Sequence, residues 1–181
     1  MNEYYATRLT HDPARAAVWR HVGAYLQRWV DPAGAVLDLA GDEVEAIVGD
    51  ATDLSRFADG EFATVFASNF LEHLDHDTID ALLVDIGRVL SPGGRLILVQ
   101  PNFRLDPNRY FDDYTHRTVW TDRSLEDVVA ARGLTVVHSE PRFLPLTMKS
   151  KLSFGHRLVP LYLKLPYRPL AGQMLVVAER P

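Results

Sequence analysis

Apolar positions along this chain fall into two rhythms. From Asp12 to Val30 they recur every three or four residues, so that Ala16, Trp19, Val22, Leu26 and Trp29 or Val30 share one face. That spacing predicts an amphipathic helix, capped by Asp12 with Pro13 in its first turn and ended by Asp31-Pro32-Ala33-Gly34. From Ala35 the rhythm shortens. "AVLDLA" (35–40), "EAIVGD" (45–50), "TVFASN" (64–69) and "RLILVQP" (95–101) are brief runs, apolar on both faces. Strands buried beneath helices on each side read this way, which predicts a parallel α/β sheet.

Between the third and fourth runs, Ile79, Leu82, Leu83, Ile86 and Leu90 form a helical stripe. Asp77 is a good N-cap for it, and Pro92-Gly93-Gly94 should stop it. A further helix is predicted over 121–133, capped by Thr121 or Asp122 and terminated by Gly133. "LTVVHS" (134–139) and "QMLVVAER" (173–180) are strand-like. The stretch between them carries prolines at 145, 160, 166 and 169 and reads as irregular or short-helical cover.

Composition changes this picture only by exclusion. With 181 residues, 47% hydrophobic and 24% charged, the chain suits one globular domain with a sizeable core. A net charge of -5 supplies no general attraction to nucleic acid. The absence of cysteine excludes disulfides, thiolate metal sites and a cysteine nucleophile, and fits a reducing, cytoplasmic setting. The first residues show no apolar stretch of the kind a signal peptide needs, and no run approaches the roughly 20 residues that span a bilayer.

The series "VLDLA" (36–40), "VGDATDLS" (48–55), "FATVFASNFLEHL" (62–74) and "RVLSPGGRLILVQPN" (88–102) resembles the class I S-adenosylmethionine-dependent methyltransferases. "FLEHL" followed by "RVLSPGGRLIL" is its most specific part. The similarity covers residues 35–103 well and the last two strands loosely. "RFLPLTMKS" (142–150) and "MLVVAERP" (174–181) look, less specifically, like members in cell-surface saccharide biosynthesis.

The resemblance implies a three-layer Rossmann-like α/β sheet, mostly parallel with an antiparallel last strand. It implies a single domain over 1–181: an N-terminal helical segment (1–34), a cofactor-binding core (35–103), an acceptor lid (104–120) and a C-terminal helix, strands and cover (121–181). The implied cofactor is S-adenosyl-L-methionine. Asp38 would lie near its methionine part, and Ala40 and Gly41 would begin the glycine loop. Asp50 and Ala51 would meet the adenine, while Asn69, Phe70 and Leu71 would line the cofactor. Glu72 would orient the cofactor, facing the methyl-transfer cleft together with His73.

One junction departs from the family. Asp42, Glu43 and Val44 stand where several glycines, a first crossover helix and a second strand ending in a ribose-binding acid are expected. Four residues reach only about 14 Å fully extended, and a parallel crossover takes a dozen or more. Three readings remain open. The region of the second strand and first crossover helix is absent from this sequence though part of the natural chain; or a true deletion lets the two runs pair as an antiparallel hairpin through Gly41-Asp42-Glu43; or the fold lies outside the family.

Methyl transfer from a sulfonium needs positioning, exclusion of water and often a base for the acceptor's proton, with no metal required. His73 follows a buried strand at the carboxyl edge, where open α/β sheets bind ligands. It reads as a base or acceptor-positioning group, or as a helix-start histidine bonded to backbone or to Glu72. "NRYFDDYTHRTVW" (108–120) packs Tyr110, Phe111, Asp112, Asp113, Tyr114 and His116 over the same edge. It reads as a lid whose aromatics stack an acceptor ring and whose His116, oriented by Asp112 or Asp113, is the base, or as a loop that covers the core. His73, Asp75, His76 and Asp77 match no standard zinc spacing and read as a solvated helix start.

Lys149, Lys151, His156, Arg157, Lys164 and Arg168 lie among apolar neighbours. They read as basic side chains snorkelling from a covering segment, or as a weak membrane-surface contact through 149–168 suited to an anionic, lipid-linked acceptor. The expected activity is S-adenosylmethionine-dependent O-methylation of a small molecule or saccharide, with no nucleic-acid partner. A non-catalytic methyltransferase-like scaffold or partner protein is the alternative if the glycine loop is truly deleted. A nicotinamide-dinucleotide enzyme is disfavoured, because no G-x-G-x-x-G follows the first strand.

Overall fold

The computed structural model describes residues 13–39, 49–145 and 155–181. In chain order its elements are α1 (Pro13–Leu26), β1 (Val36–Leu39), β2 (Phe62–Ser68), α2 (His76–Val89), β3 (Leu90–Pro101), α3 (Asp122–Ala131), β4 (Thr135–Glu140), α4 (Val159–Leu163) and β5 (Gln173–Glu179). Among the described residues the strands form one sheet in the order β1-β2-β3-β5-β4. β1, β2 and β3 are parallel, and β5 lies antiparallel between β3 and β4.

Alternation along the strands sorts side chains to two covered faces. Val65, Ala67, Leu96, Leu98, Met174 and Val176 share a core with Ile79, Leu82, Leu83 and Ile86 of α2 and with Leu125 and Val129 of α3. Ile97, Val99, Leu175 and Val177 share the other with Val18, Val22 and Leu26 of α1 and Leu163 of α4. A fully buried Leu, Ile or Val contributes about 1.5–3 kcal/mol, so a strand covered on both faces is selected to be apolar throughout. The three-layer α/β architecture is the one expected.

The local signals act with some changes of role. The N-cap of α2 is Asp75, whose carboxylate accepts from the Thr78 N–H at 2.9 Å; Asp77 falls inside the first turn instead. The helix ends at Val89 because Leu90 is already extended and pairs with Phe62. Pro92-Gly93-Gly94 therefore does not stop α2. It lies in an irregularity of β3, where Phe62 faces Leu90 and Thr64 faces Arg95. Gly93 has φ +74 and a Cβ on Gly94 would lie 2.8 Å from the Ser91 carbonyl, so both positions require glycine. Thr121 caps α3 as expected, its hydroxyl accepting from Ser124 N–H (3.1 Å) while Ser124 Oγ accepts from Thr121 N–H (3.0 Å). α1 is shorter than its pattern and tightens into a 3₁₀ turn over Gln27–Trp29.

The strand expected over 45–50 is corrected at its end. Gly49 and Asp50 belong to no strand, while Asp12, Ala40, Gly41, the Gly41–Val44 junction and residues 45–48 lie outside the described residues. β1 pairs directly with β2, and residues 40–61 connect them. That length exceeds the dozen residues a parallel crossover needs, so the chain as it stands can close this part of the sheet. No described helix is long and apolar enough to cross a membrane.

Candidate active site

The parallel strands turn their carboxyl ends to one edge. Asp38, half-buried, sits one residue before the end of β1 and opposite Phe66. Just past β2, Asn69 adopts φ +49. Its N–H donates to Val99 O (2.9 Å), and its side chain is held by Ser68 Oγ (3.0 Å) and by Gln173 Nε2 (2.7 Å). This left-handed residue turns the chain out of the strand, and Leu71–His73 coil into a 3₁₀ turn. The segment 102–120, which contains the expected lid over 104–120, packs on that turn. Arg117 and Thr118 N–H donate to Glu72 O (2.8 and 3.1 Å), Thr118 Oγ1 donates to Leu74 O (2.6 Å), and Phe103 N–H donates to Trp120 O (2.9 Å).

Glu72, His73 and His116 converge beneath it, one donor atom of each lying within 4.8 Å of the other two. Thr115 Oγ1 donates to Asp113 Oδ1 at 2.6 Å and meets His73 Nδ1 at 2.9 Å. His73 Nε2 lies 3.9 Å from Glu72 Oε1. The His116 ring packs edge-on against His73 (5.0 Å) and Tyr110 (4.9 Å). Glu72 is buried, and its Oε2 has no hydrogen-bond partner among the described residues. The His73 side chain is 33% exposed, so the cluster opens to solvent on that side.

Burial pushes the Glu72 carboxyl up to about 8; a backbone hydrogen bond opposes the rise and the charge of Asp113 adds to it. The folded protein therefore keeps a proton that the unfolded chain releases near the ordinary carboxyl value of 4.5. Stability falls as pH rises through that window, by up to about 1.4 kcal/mol per pH unit. Thermal melts in EDTA between pH 5 and pH 8 should show this slope in the wild type and a flatter one in Glu72→Gln. Equal slopes would mean that Glu72 is ionised.

Several expected site residues change role. Tyr110 is buried, donating to Thr118 O (2.7 Å) and accepting from Trp120 N–H (3.2 Å), so it braces the lid rather than stacking an acceptor. Phe111 and Tyr114 are the exposed aromatics there. The Asp113 carboxylate holds Thr115 and, through it, His73, and the His116 backbone N–H donates to Asp113 O (3.2 Å). Thr115 was missed, although Asp-x-Thr is the spacing of an Asx turn. Leu71 is fully buried in the α2 core and lines no open surface. Asp50 accepts from Thr52 N–H (2.9 Å) and Oγ1 (2.7 Å), and these bonds hold its carboxyl below the usual range.

The basic segment is also corrected. Arg168 is buried and ion-paired with Glu140, so it belongs to no surface patch, and Lys149 and Lys151 lie outside the described residues. A cleft of about 720 Å³ opens beside the lid's base, with Arg104, Asp122, Arg123, Glu140, Arg142 and Arg168 in its wall. Arg104 pairs with Asp122 (3.1 Å) and Arg168 with Glu140. That leaves Arg123 and Arg142 as the guanidiniums of the cleft without an acidic partner among the described residues.

A family model described as "Methyltransferase domain" matches residues 7–139. The chain belongs to the methyltransferase-domain family. The methyltransferase superposes on a SAM-dependent methyltransferase from Archaeoglobus fulgidus with TM-score 0.70 and 16% identity, over 98% of this chain and 100% of the other. It also matches the methyltransferase complexed with the Trm112 activator from Haloferax volcanii (TM-score 0.61, 15% identity, 95% and 99% covered). A third match is an S-adenosylmethionine-dependent methyltransferase from Mesorhizobium loti (TM-score 0.60, 14% identity, 91% and 98% covered). These likenesses establish the class I methyltransferase fold and remove the reading of a fold outside the family. No curated protein matches the methyltransferase's sequence.

Proposed function

We propose that this methyltransferase moves the methyl group of S-adenosyl-L-methionine to a hydroxyl of a small molecule or saccharide bearing an anionic group. The observation that carries this reading is the Glu72–His73–His116 cluster, held under the lid at the strand edge shared by Asp38 and Asn69. The donor set there fits the cofactor: Asp38 for its ammonium group, Asp50 for the adenine amine, and Ala51, Asn69 and Phe70 as lining. When bound, the cofactor supplies a methyl group activated by a sulfonium.

The chain's own residues do the rest. His73 and His116 are the basic nitrogens on the acceptor's side. Asp113, acting through Thr115, fixes the His73 ring so that Nε2 faces the cluster. The lid, bonded to the Glu72 carbonyl, keeps bulk water from the acceptor. Arg123 and Arg142 support an anionic acceptor, a class that includes lipid-linked saccharides.

Isothermal titration with S-adenosyl-L-methionine tests the reading. One-to-one binding is expected, weakened about tenfold or more in Asp38→Asn, the loss of one charge-assisted contact. No heat from a folded sample would favour a non-catalytic scaffold instead.

A further inference from the structure

We propose that Glu72, His73 and His116 bind a divalent cation of the Mn²⁺ or Zn²⁺ class, and that this cation is where the acceptor's hydroxyl docks. The second half rests on the methyltransferase reading; the first does not. Two imidazoles and a carboxylate are the donor set such ions select, and here they already lie within 4.8 Å of one another.

The protons of the cluster can be assigned from its hydrogen bonds. Thr115 Oγ1 has one proton and gives it to Asp113 Oδ1 at 2.6 Å. At 2.9 Å from His73 Nδ1 it can then only accept, so His73 carries its proton on Nδ1. Nε2 is left with a lone pair, and it faces a carboxylate oxygen, Glu72 Oε1, 3.9 Å away. Two donor atoms so placed can share a cation between them. The distance is too long for a hydrogen bond. It suits two ligands of one ion, which lie about 3.0 Å (cis) to 4.2 Å (trans) apart when each bond is about 2.1 Å.

Three further features belong to a built site. Glu72 is 1% exposed and its second oxygen has no hydrogen-bond partner among the described residues, an arrangement that costs about 1–3 kcal/mol or more and that ligation removes. The Asp113–Thr115–His73 relay orients a ligand imidazole from behind, as the outer shells of metal sites do. The exposed side of His73 leaves a position open to solvent, which distinguishes catalytic from structural sites. An acceptor hydroxyl placed there loses its proton to water more readily. Its oxygen electron pair then forms the new C–O bond as the C–S bond breaks, that pair stays on sulfur, and the cation is unchanged.

The test uses the full chain, stripped with EDTA and titrated calorimetrically with Mn²⁺, Zn²⁺ or Mg²⁺ alone. Mn²⁺ or Zn²⁺ should bind one-to-one. Glu72→Gln and His116→Ala should abolish measurable binding, and Thr115→Val should weaken it by about 10–100-fold. His76→Ala, a neighbouring exposed histidine outside the set, should leave it unchanged. Thermal melts confirm that each variant folds. No heat with any cation, which would leave only a proton between His73 and Glu72, overturns the site; so does binding that survives both Glu72→Gln and His116→Ala. S-adenosyl-L-methionine binding is measured separately, so failure of the cofactor reading and failure of the metal site are distinguishable.

Discussion

Replacing Arg168 with methionine is expected to destabilise the protein by about 3–5 kcal/mol, the cost of leaving one partner of a buried ion pair alone. Arg168 donates to Glu140, to Arg142 O (3.2 Å), to Leu163 O (2.7 Å) and to Tyr25 OH (3.0 Å), and it is 7% exposed. Glu140 also accepts from Tyr25 OH (2.5 Å) and contacts His138 Nε2 (2.8 Å). Burial raises the Glu140 pKa, but the hydrogen bonds from Tyr25, His138 and Arg168 outweigh it and leave the carboxyl below its usual range. The depressed value makes the contribution present above the unfolded pKa near 4.5 and lost as pH falls through the folded one. For a chain of this size the melting temperature should drop by roughly 6–20 °C at neutral pH. Adding Glu140→Gln to Arg168→Met should recover part of the loss, because no buried charge is then left unpaired. A melting temperature within a degree of wild type in Arg168→Met would show that the pair contributes nothing.

His73→Ala is expected to lower kcat by about 10²–10⁴, the range for losing a group that readies the acceptor's hydroxyl for proton loss, with S-adenosyl-L-methionine affinity essentially unchanged. His116→Ala should behave alike, since both rings belong to one cluster. Thr115→Val should fall between them and wild type. It leaves both imidazoles present but breaks the link by which Asp113 fixes the His73 ring. Labelled cofactor, with a hydroxylated acceptor that the wild type methylates, reads the turnover. Full activity in both histidine variants would remove these residues from the chemistry.

Much of this was legible because it depends on chain-local rules. Runs such as 95–101 and 173–180 are apolar on both faces since helices cover both, and Thr121 three residues before Ser124 makes its own cap. The rest depends on partners distant in sequence. Nothing around Arg168 announces Glu140, 28 residues earlier. Nothing around Thr115 announces His73; bonds from Arg117 and Thr118 N–H to the Glu72 carbonyl bring the two together from 42 residues apart. Pro92-Gly93-Gly94 looks like a helix stop from within the helix. Only the pairing of Leu90 with Phe62 makes it an irregularity in a strand.

The position of β5 has a consequence for how the molecule is made. β5 separates β3 from β4, and β4 pairs with no other strand among the described residues. During synthesis, residues 1–140 can therefore be complete while β4 has no neighbour to join. The chain must hold that strand and the apolar side of α3 in waiting until residues 173–179 emerge and insert between two strands already made. Both non-local pairings then form late, and loop closure is slow for such contacts. Until that insertion the strand edges of β3 and β4 stay open to other chains, the exposure that makes nascent sheets prone to aggregate.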